Sequence, residues 1–292
     1  MTDDAQVRKE QVAGLYSRVA ATYGKIGPDL FAPFGSFLVA RVNLSPGAQV
    51  LDVATGRGAV LFAAAERVGP AGFVVGIDLA EQMVQETAAD LRERQMTNAT
   101  VQQMDAEHLA FPNASFDAVL CSHALPLFPQ VERAIAEFHR VLRPGGKVGI
   151  CMPYGGDERW LWYTQLIFAY HQTYHLSTEW VPRIMDSSEV TRLLREAGFV
   201  EISTASQEYE FVYASEQEWW EAQWTDAARF PLEGMPPAVL EQFRIEVFQR
   251  MASLKQPDGL HYRRRASLVV GTKLLVDTDG DCQKYLAEAQ QY

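Results

Sequence analysis

One short stretch limits the fold of this chain more than any other. Residues 50–65 read VLDVATGRGAVLFAAA, an apolar run that passes through a turn of small residues into a helix-forming segment. Gly56 and Gly58 lie at the turn, where the absence of a Cβ lets a ligand approach the backbone and the following helix offers unpaired N–H groups. The stretch therefore predicts a strand–turn–helix unit that binds a nucleotide-like ligand.

The turn lacks the marks of two common nucleotide sites. A dinucleotide pattern would place a third glycine at position 61, where this chain has Leu61. A phosphate-binding P-loop would carry a lysine before the helix, and this turn has none. The turn therefore carries neither of these two pyrophosphate-binding motifs, and we expect it to hold its ligand in another way.

Strand-like and helix-like segments alternate beyond the turn. The strand-like runs are AQVLDVA, GFVVGIDLA, ATVQQMDA, FDAVLCSHA and KVGICMPY, with helix-forming segments between them. Such alternation is typical of βαβ units and predicts an α/β fold with a mostly parallel sheet.

Two carboxylates follow buried strands of this sheet. Asp78 ends VVGID about 20 residues beyond the glycine turn, where an acid can accept hydrogen bonds from both ribose hydroxyls. Asp105 ends VQQMD, where an acid can accept a hydrogen bond from an exocyclic amine. Ligands of open α/β sheets bind at the carboxyl ends of the strands, so both carboxylates are expected in the site.

Four segments, in order along the chain, resemble the motifs of a known family. VLDVATGRG, VVGIDLAEQMV, MDAEHLAFPNASFD and RVLRPGGKV are similar to the successive motifs of class I S-adenosylmethionine (SAM)-dependent methyltransferases. The nearest group is the small-molecule enzymes similar to ubiquinone/menaquinone C-methyltransferases. The resemblance covers roughly residues 12–212 and 266–273. It implies a Rossmann-like fold: a seven-stranded, mostly parallel sheet with helices on both faces and a helical aromatic cap.

The resemblance and the composition together suggest a division of the chain. We expect N-terminal lid helices over residues 1–45, a SAM-binding core over 46–154 and a continuation of the core over 186–212. Two aromatic-rich insertions, 155–185 and 213–265, are expected to form the cap. A final core strand over 266–276 and a solvated tail over 277–292 complete the division. The tail resembles a calcium-binding loop, but Cys282 stands where that loop needs glycine.

The resemblance also implies roles for individual residues around SAM and its product, S-adenosylhomocysteine. The turn would hold the methionine part, Asp78 the ribose, Met83 and Asp105 the adenine, and two lid tyrosines would close the site. Met83 and the tyrosines are also explained by ordinary packing. The expected cofactor-binding residues are Tyr16, Tyr23, Asp52, Ala54, Gly56, Gly58, Asp78, Leu79, Met83, Asp105, Ala106 and Ser122.

Three histidines are candidates for the chemistry of methyl transfer. His123 follows Ser122 at the end of the fourth strand, where a general base or an acceptor-orienting group would face the methyl group. A hydrogen-bonded structural histidine is the alternative. His171 and His175 are four residues apart on a predicted helix and could line the acceptor pocket or pack within the cap. No HExxH motif accompanies them, so we expect no metal.

The two insertions carry the aromatic residues from which we infer the acceptor. A pocket walled by aromatic side chains suits a planar or apolar small molecule. The arginines at 263–265 could pair with an acidic acceptor or simply be solvated. The expected acceptor-binding residues are Trp160, Tyr163, Tyr170, Trp219 and Trp220, although a helical core would also explain them.

Charge and cysteine content narrow the partners and the compartment. The net charge of −11 argues against a nucleic acid, because phosphate binding normally needs a basic surface. The three cysteines form no disulfide or metal-binding pattern, and no signal segment or membrane span is evident, so we expect a cytoplasmic protein. The oligomeric state cannot be read from the sequence.

Two functional hypotheses remain from the sequence. The first is SAM-dependent methyl transfer to a small aromatic or apolar acceptor by in-line displacement. O-methylation is the first expectation because His123 is a candidate base, and C- or N-methylation are the alternatives. The second is a SAM-binding protein of the same fold that catalyses a cyclisation or rearrangement without methylation, or has a binding role.

Overall fold

The computed structural model describes residues 3–177 and 183–275, and within them the strands form a single mixed sheet. Its order is β3-β2-β1-β4-β5-β8-β6, with the short β7 paired to β8. The strands are β1 (Gln49–Val53), β2 (Phe73–Asp78), β3 (Ala99–Gln103), β4 (Phe116–Ser122), β5 (Leu142–Pro153), β6 (Phe199–Tyr213), β7 (Lys255–Gln256) and β8 (Gly259–Lys273). The seven long strands confirm the predicted sheet, and β7 adds a two-residue strand.

The order of the strands determines where a ligand can bind. Strands β1 to β5 pair in parallel, and β8 runs antiparallel between β5 and β6. The chain proceeds outward from β1 to β2 and β3, then returns to place β4 on the other side of β1. This reversal opens a crevice at the carboxyl ends of β1 and β4, the usual ligand position in such sheets.

Helices cover both faces of the sheet, as predicted. On one face, α5 buries Val131, Ala134, Ile135 and Phe138 at spacings of three and four residues, which is typical of an amphipathic helix. The bounds are α1 (Asp3–Val19), α2 (Ala32–Val42), α3 (Ala59–Val68), α4 (Glu81–Glu93), α5 (Val131–Val141), α6 (Leu161–Thr173), α7 (Ser187–Glu196), α8 (Glu216–Ala222), α9 (Arg229–Glu233) and α10 (Pro237–Met251). Helix α7 packs with α5, whereas α2 and α3 pack on the opposite face.

The two aromatic insertions form one cap. Helices α6, α8, α9 and α10 share a hydrophobic cluster, at the centre of which Trp160 stacks on Trp219 with 4.8 Å between ring centroids. Strands β6 and β8 extend into this cap and pair as far as Tyr213 and Leu260. The final strand therefore begins at Gly259 rather than at residue 266, because its first half continues the pairing with β6.

The RPGG segment of the fourth motif lies at the start of β5, directly after α5 ends at Val141. No helix in the described part of the chain is long and apolar enough to cross a membrane. The expected tail, its acidic loop and Cys282 lie outside the described residues.

Candidate cofactor and acceptor site

A cavity of about 780 Å³ opens at the carboxyl ends of the central strands. It lies where the strand order reverses, and the glycine turn, Asp78 and Asp105 all line it. Ten of the predicted cofactor-binding residues are brought together here: Tyr16, Tyr23, Asp52, Ala54, Gly56, Asp78, Leu79, Asp105, Ala106 and Ser122. Gly58 and Met83 are not among the lining residues.

The glycine turn is held in a conformation that leaves room for a ligand. Ala54, Gly56 and Gly58 all have positive φ angles, of 54°, 51° and 82°. A Cβ on Gly56 would meet no atom within 4 Å, whereas one on Gly58 would lie 2.6 Å from the ring of Phe62. Gly56 therefore keeps the cavity open, and Gly58 permits the tight entry into α3. The non-glycine Ala54 in this region costs about 1–2 kcal/mol.

Asp78 connects the turn to the end of β2. Its carboxylate accepts hydrogen bonds from the Gly56 amide at 2.8 Å and the Ala80 amide at 2.9 Å. Burial raises the pKa of Asp78, and these backbone donors oppose the shift. The side chain is therefore positioned rigidly at the cavity, where its oxygens can also accept hydrogen bonds from ligand hydroxyls.

Asp52 is a second buried carboxylate, one strand away. It accepts a hydrogen bond from the Thr55 hydroxyl at 2.6 Å, and no described cation lies within 4.0 Å of it. Burial raises its pKa to about 7, against the Thr55 hydrogen bond and with a further contribution from the charge of Asp78. A cationic ligand group beside Asp52 would relieve this cost, because it would stabilise the carboxylate.

Asp105 is joined to the lid by an ion pair. Lys9 of α1 lies 2.7 Å from the Asp105 carboxylate and also contacts the buried carboxylate of Glu107. Burial alone would raise the pKa of Asp105, but the hydrogen bonds from Lys9 and the Glu107 amide outweigh it and lower that pKa. His108 lies 3.1 Å from Asp105, and with Glu107 these residues place potential metal-ligand atoms within 4.8 Å of one another. The Lys9 ammonium is the cation that the structure shows there.

The lid packs its aromatic residues against the cavity. Tyr23 stacks on Phe31 with 5.1 Å between centroids, and Tyr16 lies 6.1 Å from Tyr23. Beneath them Met83 is fully buried with Val19 and other small apolar residues. Met83 therefore joins α4 to the lid and is not among the residues that line the cavity, and its expected place on the adenine stays a prediction.

Arg57 lines the cavity and was not predicted as a site residue. Its guanidinium donates to Asp90 at 2.6 Å, to Glu86 at 2.7 Å and to the carbonyl oxygen of Ala20 at 2.7 Å. These bonds connect the turn to α4 and to the end of the lid helix. Its position between Gly56 and Gly58 could have indicated a site residue. Its acidic partners, Glu86 and Asp90, lie on another helix, α4, so the sequence did not show the contacts.

His123 lies at the cavity, as predicted. Its backbone has a positive φ of 60°, its Nδ1 lies 2.9 Å from the Ser122 hydroxyl, and its ring contacts Phe31 and Phe34. Burial, with a further contribution from the charge of Arg264, lowers the pKa of His123 to about 3. The imidazole is therefore neutral at physiological pH and a weak proton acceptor, better suited to orienting an acceptor than to holding its proton.

The other two candidate histidines are not brought to the site. His171 is buried in the cap, with its ring nitrogens 2.8 Å and 3.0 Å from the carbonyl oxygens of Ser177 and Pro231. His175 is exposed at the end of α6. Neither lines the cavity described above or the second cavity described next. Helical spacing placed them near one another but could not determine which way the helix faces.

A second cavity of about 480 Å³ adjoins the first. Trp160, Tyr163 and Trp219 line it, as predicted for the acceptor site. Tyr170 and Trp220 do not: the Tyr170 hydroxyl donates to Glu246 at 3.0 Å, and Trp220 packs within the cap. The two cavities share Val12, Tyr16, Gly24, Phe31 and Leu127 as lining residues.

Most of the charged groups that line the second cavity were not predicted from the sequence. Arg264 and Asp226 both line it, and the Arg264 guanidinium carbon lies 5.3 Å from the centre of the Phe31 ring. Burial raises the pKa of Asp226, with the charge of Arg264 and the Ala228 amide opposing it. The basic run at 263–265 indicated an arginine, but nothing in the sequence indicated that Asp226 would face it.

Sequence comparisons identify the family. A profile described as a methyltransferase domain matches residues 50–146. A demethylmenaquinone methyltransferase from Geobacillus sp. (strain WCH70) is 30% identical over 181 residues, which are 57% of this chain and 76% of that protein. The chain belongs to the class I SAM-dependent methyltransferases.

Other relatives of this methyltransferase chain match over a smaller share of their length. Nocamycin O-methyltransferase from Saccharothrix syringae is 45% identical over 139 residues, 48% of this chain and 50% of that protein. Aklanonic acid methyltransferase DauC from Streptomyces sp. (strain C5) is 38% identical over 145 residues, 50% of this chain and 66% of that protein. The chain thus spans between half and two thirds of the length of these two relatives.

Solved structures confirm the fold of this methyltransferase chain. YcgJ from Bacillus subtilis aligns with a TM-score of 0.57 at 20% identity, covering 83% of this chain and 99% of that one. The [4+2]-cyclase SpnF aligns with a TM-score of 0.56 at 21% identity, covering 93% of this chain and 95% of that one. At such identities the likeness shows the Rossmann-like fold alone.

The cavity fits the cofactor of the family. SAM carries a sulfonium and an ammonium, and the larger cavity offers the carboxylates of Asp52, Asp78 and Asp105. The open space at Gly56 and the unneutralised carboxylate of Asp52 suit its methionine part. Asp78 suits the ribose hydroxyls, and Asp105 lines the same cavity two residues beyond the end of β3. When bound, SAM supplies an electrophilic methyl group.

Proposed function

We propose that this protein transfers the methyl group of SAM to an oxygen atom of a small aromatic or apolar acceptor. The observation that carries the proposal is the second cavity, which adjoins the cofactor cavity and has aromatic walls. An acceptor placed there would reach the cofactor past Tyr16, Phe31 and Leu127, which line both cavities. The names of two relatives, an O-methyltransferase and an aklanonic acid methyltransferase, support a small-molecule acceptor.

The chain's own residues have positioning roles in this reaction. The turn and Asp78 hold the donor, while Trp160 and Trp219 enclose the acceptor and exclude water. His123 and Ser122, joined at 2.9 Å, lie where the acceptor oxygen would be oriented. Alignment of a nucleophile about 3–3.5 Å from a reactive methyl group supplies much of the rate enhancement.

We also propose a small molecule, rather than a nucleic acid, as the partner of a cytoplasmic enzyme. The net charge of −11 opposes binding to a phosphate backbone. Cys121 and Cys151 are buried free thiols, as is usual in a reducing compartment.

Incubation with SAM labelled in its methyl group tests the proposed reaction. We expect label to move onto oxygen in at least one member of a panel of phenols, enols and aromatic acids, with equimolar S-adenosylhomocysteine. Mass spectrometry of the products locates the methyl group. A rearranged product without the label would instead support a non-methylating reaction, and a label on carbon or nitrogen would refute O-methylation.

A further inference from the structure

Three consecutive arginines on β8 differ in what they contact. Arg263 and Arg265 both pair with Glu208 of β6, the former with 3.7 Å between the charged atoms. Arg264 points to the other side of the strand, because side chains alternate along it, and lines the second cavity. Only the middle arginine is therefore available to a molecule in that cavity.

Arg264 has no neutralising partner in the described part of the chain. No carboxylate there lies within 4.0 Å of its guanidinium, and no described group accepts a hydrogen bond from it. Asp157, another acid of this cavity, is bound by Arg159 and by the Arg263 amide at 2.8 Å. A guanidinium has five N–H donors, and leaving them unpaired in a partly buried position costs free energy.

Asp226, a second acid that lines the cavity, is not an ion-pair partner of Arg264. Its carboxylate accepts the Ala228 amide at 2.8 Å, and its separation from the guanidinium exceeds 4.0 Å. Burial raises its pKa and so moves it towards its neutral form. Asp226 and Arg264 act on each other through their charges, but no hydrogen bond joins them, so the N–H donors of Arg264 stay open to a ligand.

Arg264 lies at the junction of the two cavities. Its guanidinium is over the ring of Phe31, which lines both, and the edge-on ring of His123 is 5.6 Å from that of Phe31. An acceptor group held by Arg264 would thus be near His123 and the mouth of the cofactor cavity. His123 itself is a weak base, because burial lowers its pKa.

We propose that the acceptor is an apolar or aromatic organic acid that binds as its oxyanion, with Arg264 as the counter-ion. This proposal rests on the proposed methyl transfer. The acceptor releases its proton to solvent on ionising. Its oxygen then forms a C–O bond to the methyl carbon while the C–S bond breaks, and that electron pair stays on sulfur. The products are a neutral methyl ether or ester and neutral S-adenosylhomocysteine.

Binding measurements test the proposed role of Arg264 as a counter-ion without depending on turnover. Calorimetry would compare aromatic carboxylic acids, such as anthraquinone-2-carboxylate, with their neutral carboxamides, on protein saturated with S-adenosylhomocysteine. We expect the wild type to prefer the acids. Arg264→Gln should weaken acid binding about 10- to 100-fold, as expected for a charge-assisted hydrogen bond, and change amide binding less than about threefold. Arg264→Lys should restore part of the affinity.

Arg265→Gln is the matched control, because it removes an arginine of the same strand that pairs with Glu208. It should leave both affinities unchanged, and all variants should bind S-adenosylhomocysteine as the wild type does. Equal losses for acids and amides in Arg264→Gln would overturn the proposal, as would a panel in which no acid binds better than its amide. Preference for acids without any methyl transfer would uphold the anion site and refute the proposed function.

Discussion

The cofactor half and the acceptor half of the site are built in different ways. In the cofactor half, strand ends and backbone amides position the ligand-binding groups: Asp78 is held by Gly56 and Ala80, and Asp52 by Thr55 three positions on. In the acceptor half, side chains from distant segments pack together: the Trp160 indole donates to the carbonyl oxygen of His261, 101 positions away. The first half is therefore specified locally, and the second by the packing of the cap.

The comparison predicts that changes in the two halves have separable effects. Substitutions at the strand ends or lid should alter stability or SAM binding, whereas those in the cap cavity should alter acceptor binding. Four experiments test whether the two halves respond separately.

The largest effect is expected where the lid meets the cofactor half. Lys9→Met would leave the buried carboxylate of Glu107 and that of Asp105 without their shared cation. We expect the free energy of unfolding to fall by about 3–5 kcal/mol, as when one partner of a buried ion pair is removed. Urea denaturation measures it, with the exposed Lys25→Met as control. A loss equal to that of the control would show that the lid is not anchored by this pair.

The next effect is on SAM itself. Asp78→Ala removes the acceptor of two backbone hydrogen bonds and a candidate ribose ligand. We expect SAM affinity by calorimetry to fall about 30- to 150-fold, from a loss of about 2–3 kcal/mol. Glu81→Ala, an exposed acid at the start of α4, should bind SAM normally. Unchanged affinity in Asp78→Ala would refute the ribose assignment.

A neighbouring pair of tryptophans tests the acceptor half. Both are buried in the cap cluster, but Trp219 lines the second cavity and Trp220 does not. Trp219→Phe should raise the KM for the acceptor about 3- to 10-fold, because it removes apolar contact area, and leave SAM affinity unchanged. Trp220→Phe should lower the melting temperature with little effect on KM. Equal effects of both on KM would mean that the cap, rather than one wall, determines acceptor binding.

The smallest effect concerns His123 and pH. Its folded pKa of about 3 lies below the ordinary value of 6.5, so the unfolded chain binds the extra proton as pH falls below about 6.5. Stability should therefore decrease from pH 7 towards pH 5 by about 1 kcal/mol per unit more in the wild type than in His123→Gln. Parallel stability curves for the two proteins would show that folding does not lower the pKa of His123.

The same experiment bears on catalysis. The pH profiles of turnover should have the same shape near pH 6.5 in the wild type and in His123→Gln. An inflection near pH 6.5 that is present in the wild type and absent from the variant would identify His123 as a general base.

Predictions from the sequence succeeded where local pattern decides position. The glycine turn, Asp78 and Asp105 lie at the cavity because the carboxyl ends of neighbouring parallel strands must meet at one edge. His171 and His175 line neither cavity, which helical spacing could not indicate, because it says which residues are neighbours but not what the helix packs against. Lys9 and Arg57 were missed because each acts through partners on other elements.

By itself, the sequence determined the family, the order of the main strands and helices, and which carboxylates lie at the ends of the central strands. The reason is that these depend on hydrophobic periodicity and on short motifs within single βαβ units. Only the tertiary structure decided that two insertions form one cap, that Arg264 faces the cavity between two surface arginines, and that Phe31 lies between the two cavities. These depend on strand pairing across many residues and on which face of each element is buried.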